Sequence, residues 1–204
     1  QNISWSQKAN FIEVPTDCPQ RDERLGWTGD AQLFASTACY FYDCENFFIK
    51  FLNDLRSEQD QEGAIGHFSP DVTRNGKTND PRLISENEKK HGFWSHKGAT
   101  GWGDAIVIIP WVLFKHYGNL KVLKNFQSAM IKWCEYLYSI SNDLIIRNPK
   151  YSSVSEGIKI RGFTFGDWVA PTGEDFPPYA DHISDDCYST IYHFISTSLL
   201  AKIS

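Results

Sequence analysis

At 204 residues the chain is long enough for one well-buried domain, and a single domain over 1–204 is the expected organisation. A formal net charge of -5, with lysines and arginines scattered except for Lys89-Lys90, leaves no basic face to neutralise phosphates and excludes nucleic acid as an expected partner. The longest apolar run, Ala105 to Phe114, contains Pro110 and falls short of the roughly 20 residues a membrane span needs, so no span is expected.

The chain opens on a segment rich in turn formers (Pro15, Pro19, Gly26, Gly29) and poor in helical periodicity, which predicts a structured entry followed by a loop up to residue 30. From Asp30 to about Tyr42, Leu33, Phe34, Thr37, Ala38 and Phe41 recur at helical spacing. Asp43 then reads as the N-cap of a second helix, with Phe47, Phe48, Phe51, Leu52 and Leu55 opposite Lys50, Asn53, Asp54 and Arg56. Residues 60 to 100 are polar and broken by Gly and Pro, which predicts a long surface excursion.

A third helix is expected from Trp102 or Gly103 to Tyr117, apolar nearly all round and therefore buried, bent at Pro110 and ended by Gly118. A fourth runs from about Leu120 to Ile140 with Leu123, Phe126, Met130, Trp133 and Leu137 in a 3-4 rhythm. Leu144 to Arg147 carries a weak strand signal. A Gly- and Pro-rich loop (Gly162 to Pro178) leads to a last helix from Ser184, with Asp185 and Asp186 in its first turn and Cys187, Tyr188, Ile191, Ile195 and Leu199 on one face. That pattern stops in mid-course at Ser204, from which a polypeptide continuing beyond it is expected. Helices joined by long Gly-rich and acid-rich loops predict an all-α domain with its chemistry on the loops.

The aromatic share, 15%, fits either a Phe- and Tyr-rich core or a sugar site, where the apolar face of a pyranose lies on a ring. Five cysteines without a tight spacing read as buried small residues or free thiols. There is no GxSxG, HExxH or Gly-rich phosphate loop, and the six histidines form no ligand spacing, so neither a metal nor a cofactor is expected.

One segment concentrates chemistry. From Val14 to Asp30 lie four carboxylates (Asp17, Asp22, Glu23, Asp30), Arg21, Arg24 and Trp27, among prolines and glycines that preclude a regular helix. Taken by composition alone, this is equally a solvated charged loop. Its order is more specific. The block Asp17-Cys18-Pro19-Gln20-Arg21-Asp22-Glu23-Arg24-Leu25-Gly26-Trp27-Thr28-Gly29-Asp30 closely resembles the segment that opens the catalytic domain of bacterial α-L-rhamnosidases of glycoside hydrolase family 78. The resemblance extends more loosely through Gly101-Trp102-Gly103-Asp104-Ala105 and Gly166-Asp167-Trp168.

It implies an (α/α)6 barrel, of which about five helices fall in this chain, so that only the N-terminal part of the barrel is expected here. It also implies hydrolysis of terminal α-L-rhamnosides with inversion, on a rhamnose-containing glycan or glycoside, and without a cofactor. Glu23 falls where the family places its general acid, which must stay protonated near neutral pH. Asp22 and Asp17 would raise its pKa and Arg21 and Arg24 would lower it. Asp17 and Asp30 match positions that hold sugar hydroxyls, Arg21 matches another polar contact, and Trp27 packs against the sugar, whose 6-deoxy methyl needs an apolar wall. Trp102 and Trp168 match the other walls, while Asp104 reads as a cap of its helix. The family's general base is a Glu far downstream, and no residue here matches it, Glu174 included. The chain alone is therefore expected to be inactive or nearly so. Two other readings are another (α/α)6-barrel glycosidase and a non-catalytic carbohydrate-binding piece.

Overall fold

The computed structural model describes residues 1–21, 24–71, 97–147, 164–166 and 183–204. Among them are six helices: α1 (Asn2–Asn10), α2 (Thr28–Phe41), α3 (Glu45–Glu58), α4 (Ala105–Tyr117), α5 (Leu120–Ile140) and α6 (Asp185–Ile203). The only named strands among the described residues, β1 (Ser141–Asn142) and β2 (Ile145–Ile146), pair antiparallel with Ser141 opposite Ile146. The all-α expectation holds, and the weak strand signal near Leu144 corresponds to β2.

α3 and α5 form where their apolar periodicity places them. α3 buries Phe48, Phe51, Leu52 and Leu55, and α5 buries a stripe that includes Leu123, Phe126, Met130, Trp133 and Leu137. At the start of α5, the Asn119 side chain accepts the Lys121 amide at 3.0 Å. At the start of α3, Cys44 holds the cap position, and Asp43 one residue earlier accepts the Glu45 amide at 3.3 Å. α4 begins at Ala105, slightly later than expected, keeps Pro110 within it, and ends at Gly118, whose φ of 68° is the left-handed conformation glycine tolerates.

α4 is the hub, packed against α2, α3, α5 and α6. α2, α4 and α6 form one row, and α3 and α5, also in contact with each other, lie against it. The core runs between the rows, from Phe48, Phe51 and Leu55 through Ile106, Ile109 and Leu113 to Phe126, Met130 and Trp133. Burial of this many large side chains, each contributing about 1.5–3 kcal/mol, is the main term holding the helices together. No helix among the described residues is long and apolar enough to cross a membrane. The five cysteines are free thiols, and Cys44 and Cys134 are buried.

The structure also corrects expectations about which stretches are helical and which residues are buried. The entry segment contains α1, whose periodicity is weak because only Gln7 and Asn10 are buried in it. α2 turns only part of its expected stripe inward: Ala38 is buried and Phe34 packs partly buried on the core, but Leu33 is 74% and Phe41 45% exposed, and Ala31 and Ala35 are buried as well. Small residues let α2 and α4 approach closely. α6 likewise buries Ser189, His193 and Ser196, at i, i+4 and i+7, and leaves Ile191 and Phe194 largely outside. Residues 60–100 are not one surface excursion: 63–69 and 98–100 are buried, with an isolated bridge between Gly66 and Lys97.

Candidate active site

The site is built where loops enter the helix row at the start of α2 and α4. α1 delivers the chain to Phe11, whose ring stacks on Phe47 (centroids 4.6 Å, 8°) and meets Phe34 and Phe48 edge-on. A bridge from Phe11 to Pro15 then turns the chain. The Thr16 hydroxyl donates to the Asn10 carbonyl at 3.0 Å, and the Asp17 amide donates to the Leu25 carbonyl at 3.2 Å, so these two residues bracket the middle of the acidic block. Arg24, with φ of 26°, donates to the Ala9 carbonyl at 2.9 Å, which ties the block to α1. Leaving the block, Gly26 packs so tightly that an added Cβ would sit 2.3 Å from the Ser69 carbonyl oxygen.

Asp17 and Asp30 are brought together. Both line a cavity of about 460 Å³ between α1 and α2, with Phe11, Pro15, Phe34 and Leu33 as apolar wall and Gln7 and Asn10 as further polar lining. Cys18 donates its thiol to Asp17 Oδ2 at 2.7 Å, while Asp17 Oδ1 is buried without a hydrogen-bond partner. A buried carboxylate oxygen left open beside a cavity is an acceptor that a ligand hydroxyl would fill. The carboxyl of Asp30, an exposed residue overall, is raised above the ordinary carboxylate value by loss of water on its buried side. The charge of Asp17 adds to that rise, and a backbone hydrogen bond opposes it.

Trp27 and Trp102 are also brought together, but in a different assembly. Trp27 precedes α2 and meets Phe68 edge-on (5.2 Å) and Phe165 edge-on (6.2 Å). Trp102 lies against Phe165 at 4.4 Å and over Gly29, where an added Cβ would be 2.8 Å from its indole. At 7% exposure, Trp102 is almost wholly packed. Neither tryptophan lines the Asp17–Asp30 cavity; Gly29 and Asp30, adjacent in α2, connect the two assemblies. Arg21 is exposed on the loop. Glu23 and Trp168 lie outside the described residues.

The expectation that Asp104 caps its helix is corrected. Its side chain makes no capping bond to α4 and instead accepts from the Gly101 amide, the Trp133 indole and the Ser196 hydroxyl. Burial pushes its carboxyl up to about 6, and the bonds from Ser196, Trp133 and Gly101 counteract part of that rise. Among the described residues no group of three or more His, Cys, Asp or Glu is placed to hold a metal ion.

The sequence matches, over residues 1–204, the family described as the bacterial alpha-L-rhamnosidase 6 hairpin glycosidase domain. The chain belongs to this family. Within it, the chain is 34% identical over 202 residues to an alpha-L-rhamnosidase of Alteromonas sp. (strain LOR), an alignment that covers 99% of this chain and 18% of that relative. The solved structure of the Streptomyces avermitilis alpha-L-rhamnosidase complexed with L-rhamnose superposes with a TM-score of 0.72 at 33% identity, covering 99% of this chain and 16% of the other. The native Aspergillus terreus enzyme gives 0.70 at 32% identity, over 100% and 20%. The chain thus spans no more than about a fifth of the proteins it matches, and its helical hairpins are part of the six-hairpin glycosidase fold.

Set in this rhamnosidase fold, some residues at the site were not foreseen. Phe165 joins Trp27, Trp102 and His67 (5.1 Å) from a third loop. His67 accepts the Ala99 amide at 3.1 Å, and Thr28 donates its hydroxyl to the carbonyls of Gly66 and His67. Gln32 reaches from α2 to the Gly101 carbonyl. The available signal for Phe165 was its place just before Gly166-Asp167-Trp168. His67 and Gln32 had none, because each acts on backbone from a distant stretch of chain.

Proposed function

We propose that the full-length protein is an inverting α-L-rhamnosidase and that residues 1–204 are the N-terminal part of its (α/α)6 catalytic domain. Glu23 protonates the departing glycosidic oxygen as general acid. Asp17 and Asp30 accept sugar hydroxyls, and Arg21 supplies a further polar contact. Trp27, Trp102 and Trp168 form apolar walls against the ring and its 6-methyl group. A second carboxylate, about 6.5–9.5 Å from the acid, activates water on the opposite face of the sugar. It is supplied by a part of the protein outside these residues, and the 204 residues alone do not turn over substrate.

The observation that carries this reading is the Asp17–Asp30 block, which lies within the family match over residues 1–204 and whose first and last carboxylates line one cavity. The naming of L-rhamnose as the ligand of the Streptomyces avermitilis relative supports the choice of sugar.

The role of Glu23 is tested in the full-length protein with aryl and alkyl α-L-rhamnosides. Glu23→Gln is expected to lower kcat about 100- to 10,000-fold on an alkyl rhamnoside, as loss of a general acid does. The loss should be far smaller on a dinitrophenyl rhamnoside, whose leaving group needs no proton. Equal losses on both substrates, or none, would remove Glu23 from that role.

A further inference from the structure

Asp104 is fully buried, and a carboxylate there is costly unless its oxygens are filled. They are. Oδ2 accepts the Gly101 amide at 2.7 Å, and Oδ1 accepts Trp133 Nε1–H at 3.0 Å together with the Ser196 hydroxyl. All three partners are neutral donors, on the preceding turn, on α5 and on α6. A group with acceptors on both arms satisfies them, whereas an amide of the same shape would turn an N–H toward one of the donors.

A helix junction could be sealed by apolar packing at equal or better stability, so stability alone does not account for a buried charge here. What the carboxylate adds is a hold on one loop peptide. Gly101 has φ of 79°, and an added Cβ would collide with the Tyr188 hydroxyl. Its N–H is held by Asp104 and its carbonyl by Gln32 Nε2 from α2. The two peptide planes that precede Trp102 are therefore clamped from opposite sides, and the indole is laid between Gly29 and Phe165.

We propose that Asp104 is a positioning residue which, together with Gln32, clamps Gly101 and so sets Trp102 as a fixed wall of the sugar site. This rests on reading that site as the rhamnoside site, and one readout below does not depend on it. The full-length protein is labelled with 5-fluorotryptophan, and the Trp102 signal is assigned in the 19F spectrum by Trp102→Phe. Asp104→Asn keeps acceptors for two donors and loses the third, so the Trp102 resonance is expected to shift or broaden. Gln32→Leu, which frees the second of these two peptides without touching Asp104, does the same and serves where Asp104→Asn does not fold. Ser196→Ala, which removes a donor but not the clamp, leaves the resonance in place although it lowers Tm.

On an aryl α-L-rhamnoside, either clamp variant is expected to lower kcat/KM about 10-fold or more, while Ser196→Ala stays within twofold. In a Trp102→Ala background the clamp variants should cost little more, because their effect passes through Trp102. An unmoved Trp102 resonance, equal losses in the clamp variants and Ser196→Ala, or a full loss retained in Trp102→Ala would each overturn the assignment. If the resonance moves but the wild-type protein releases no rhamnose, the positioning stands and the rhamnosidase reading falls.

Discussion

α3 and α6 are helices of comparable length that use opposite logic. α3 carries an apolar stripe, Phe48, Phe51, Leu52 and Leu55, and buries it, with Lys50 and Arg56 outside. α6 buries Ser189, His193 and Ser196 and leaves Phe194 72% exposed. The difference follows from what each faces. α3 meets the apolar side of α4 and α5, where burial of apolar area is the main term and polar contacts such as Arg56 to the Asn125 carbonyl lie at the rim. α6 runs past the turn of residues 99–104, where Thr100 donates to Ser189 at 2.9 Å and Ser196 donates to Asp104. The polar row lies beside the candidate site, so the inward face of α6 is chosen for hydrogen bonds before hydrophobicity.

Substitutions in the two regions should therefore fail differently. The largest effect is expected in α3. Phe48→Ala removes a ring that is fully buried and meets Phe11 and Phe47, and should destabilise the domain by about 3–5 kcal/mol in chemical denaturation of the full-length protein. Second is a pH effect confined to the polar row. Asp104 is held near pKa 6 in the fold against an ordinary 3.8, so the folded state binds its proton more tightly than the unfolded state. Its contribution to stability is then fully present below about pH 4 and lost as the pH rises through about 6, by roughly 3 kcal/mol. Asp104→Asn should abolish that slope in a Tm-against-pH profile, whereas Phe48→Ala should displace the whole profile downward. The smallest effect is at the boundary between the aromatic and acidic assemblies. Gly29→Ala pushes a methyl group into Trp102 and should cost about 1–3 kcal/mol, with a loss of kcat/KM larger than its fall in Tm would suggest.

These contrasts also explain what could be read from the sequence. α3 and α5 were legible because their stripes are amphipathic, and the end of α4 because Gly118 takes the left-handed turn. α1 was not, since its buried residues are Gln7 and Asn10, and neither were the inward faces of α2 and α6, where Ala35 and Ser196 do the packing. In the site, the order of residues from Asp17 to Asp30 pointed to the acid pair, and the structure seats both carboxylates on one cavity. The contribution of Phe165 and the holds of Gln32 on Gly101 and of Ser196 on Asp104 depend on contacts between residues about 60 to 140 positions apart, to which no local periodicity responds.

The central claim is tested most directly by following the first sugar released by the full-length protein from an aryl α-L-rhamnoside with time-resolved proton NMR. An inverting rhamnosidase delivers β-L-rhamnose first, with the α anomer growing only at the rate of mutarotation. First appearance of α-L-rhamnose would contradict inversion, and no rhamnose from any rhamnoside would contradict the proposed activity itself.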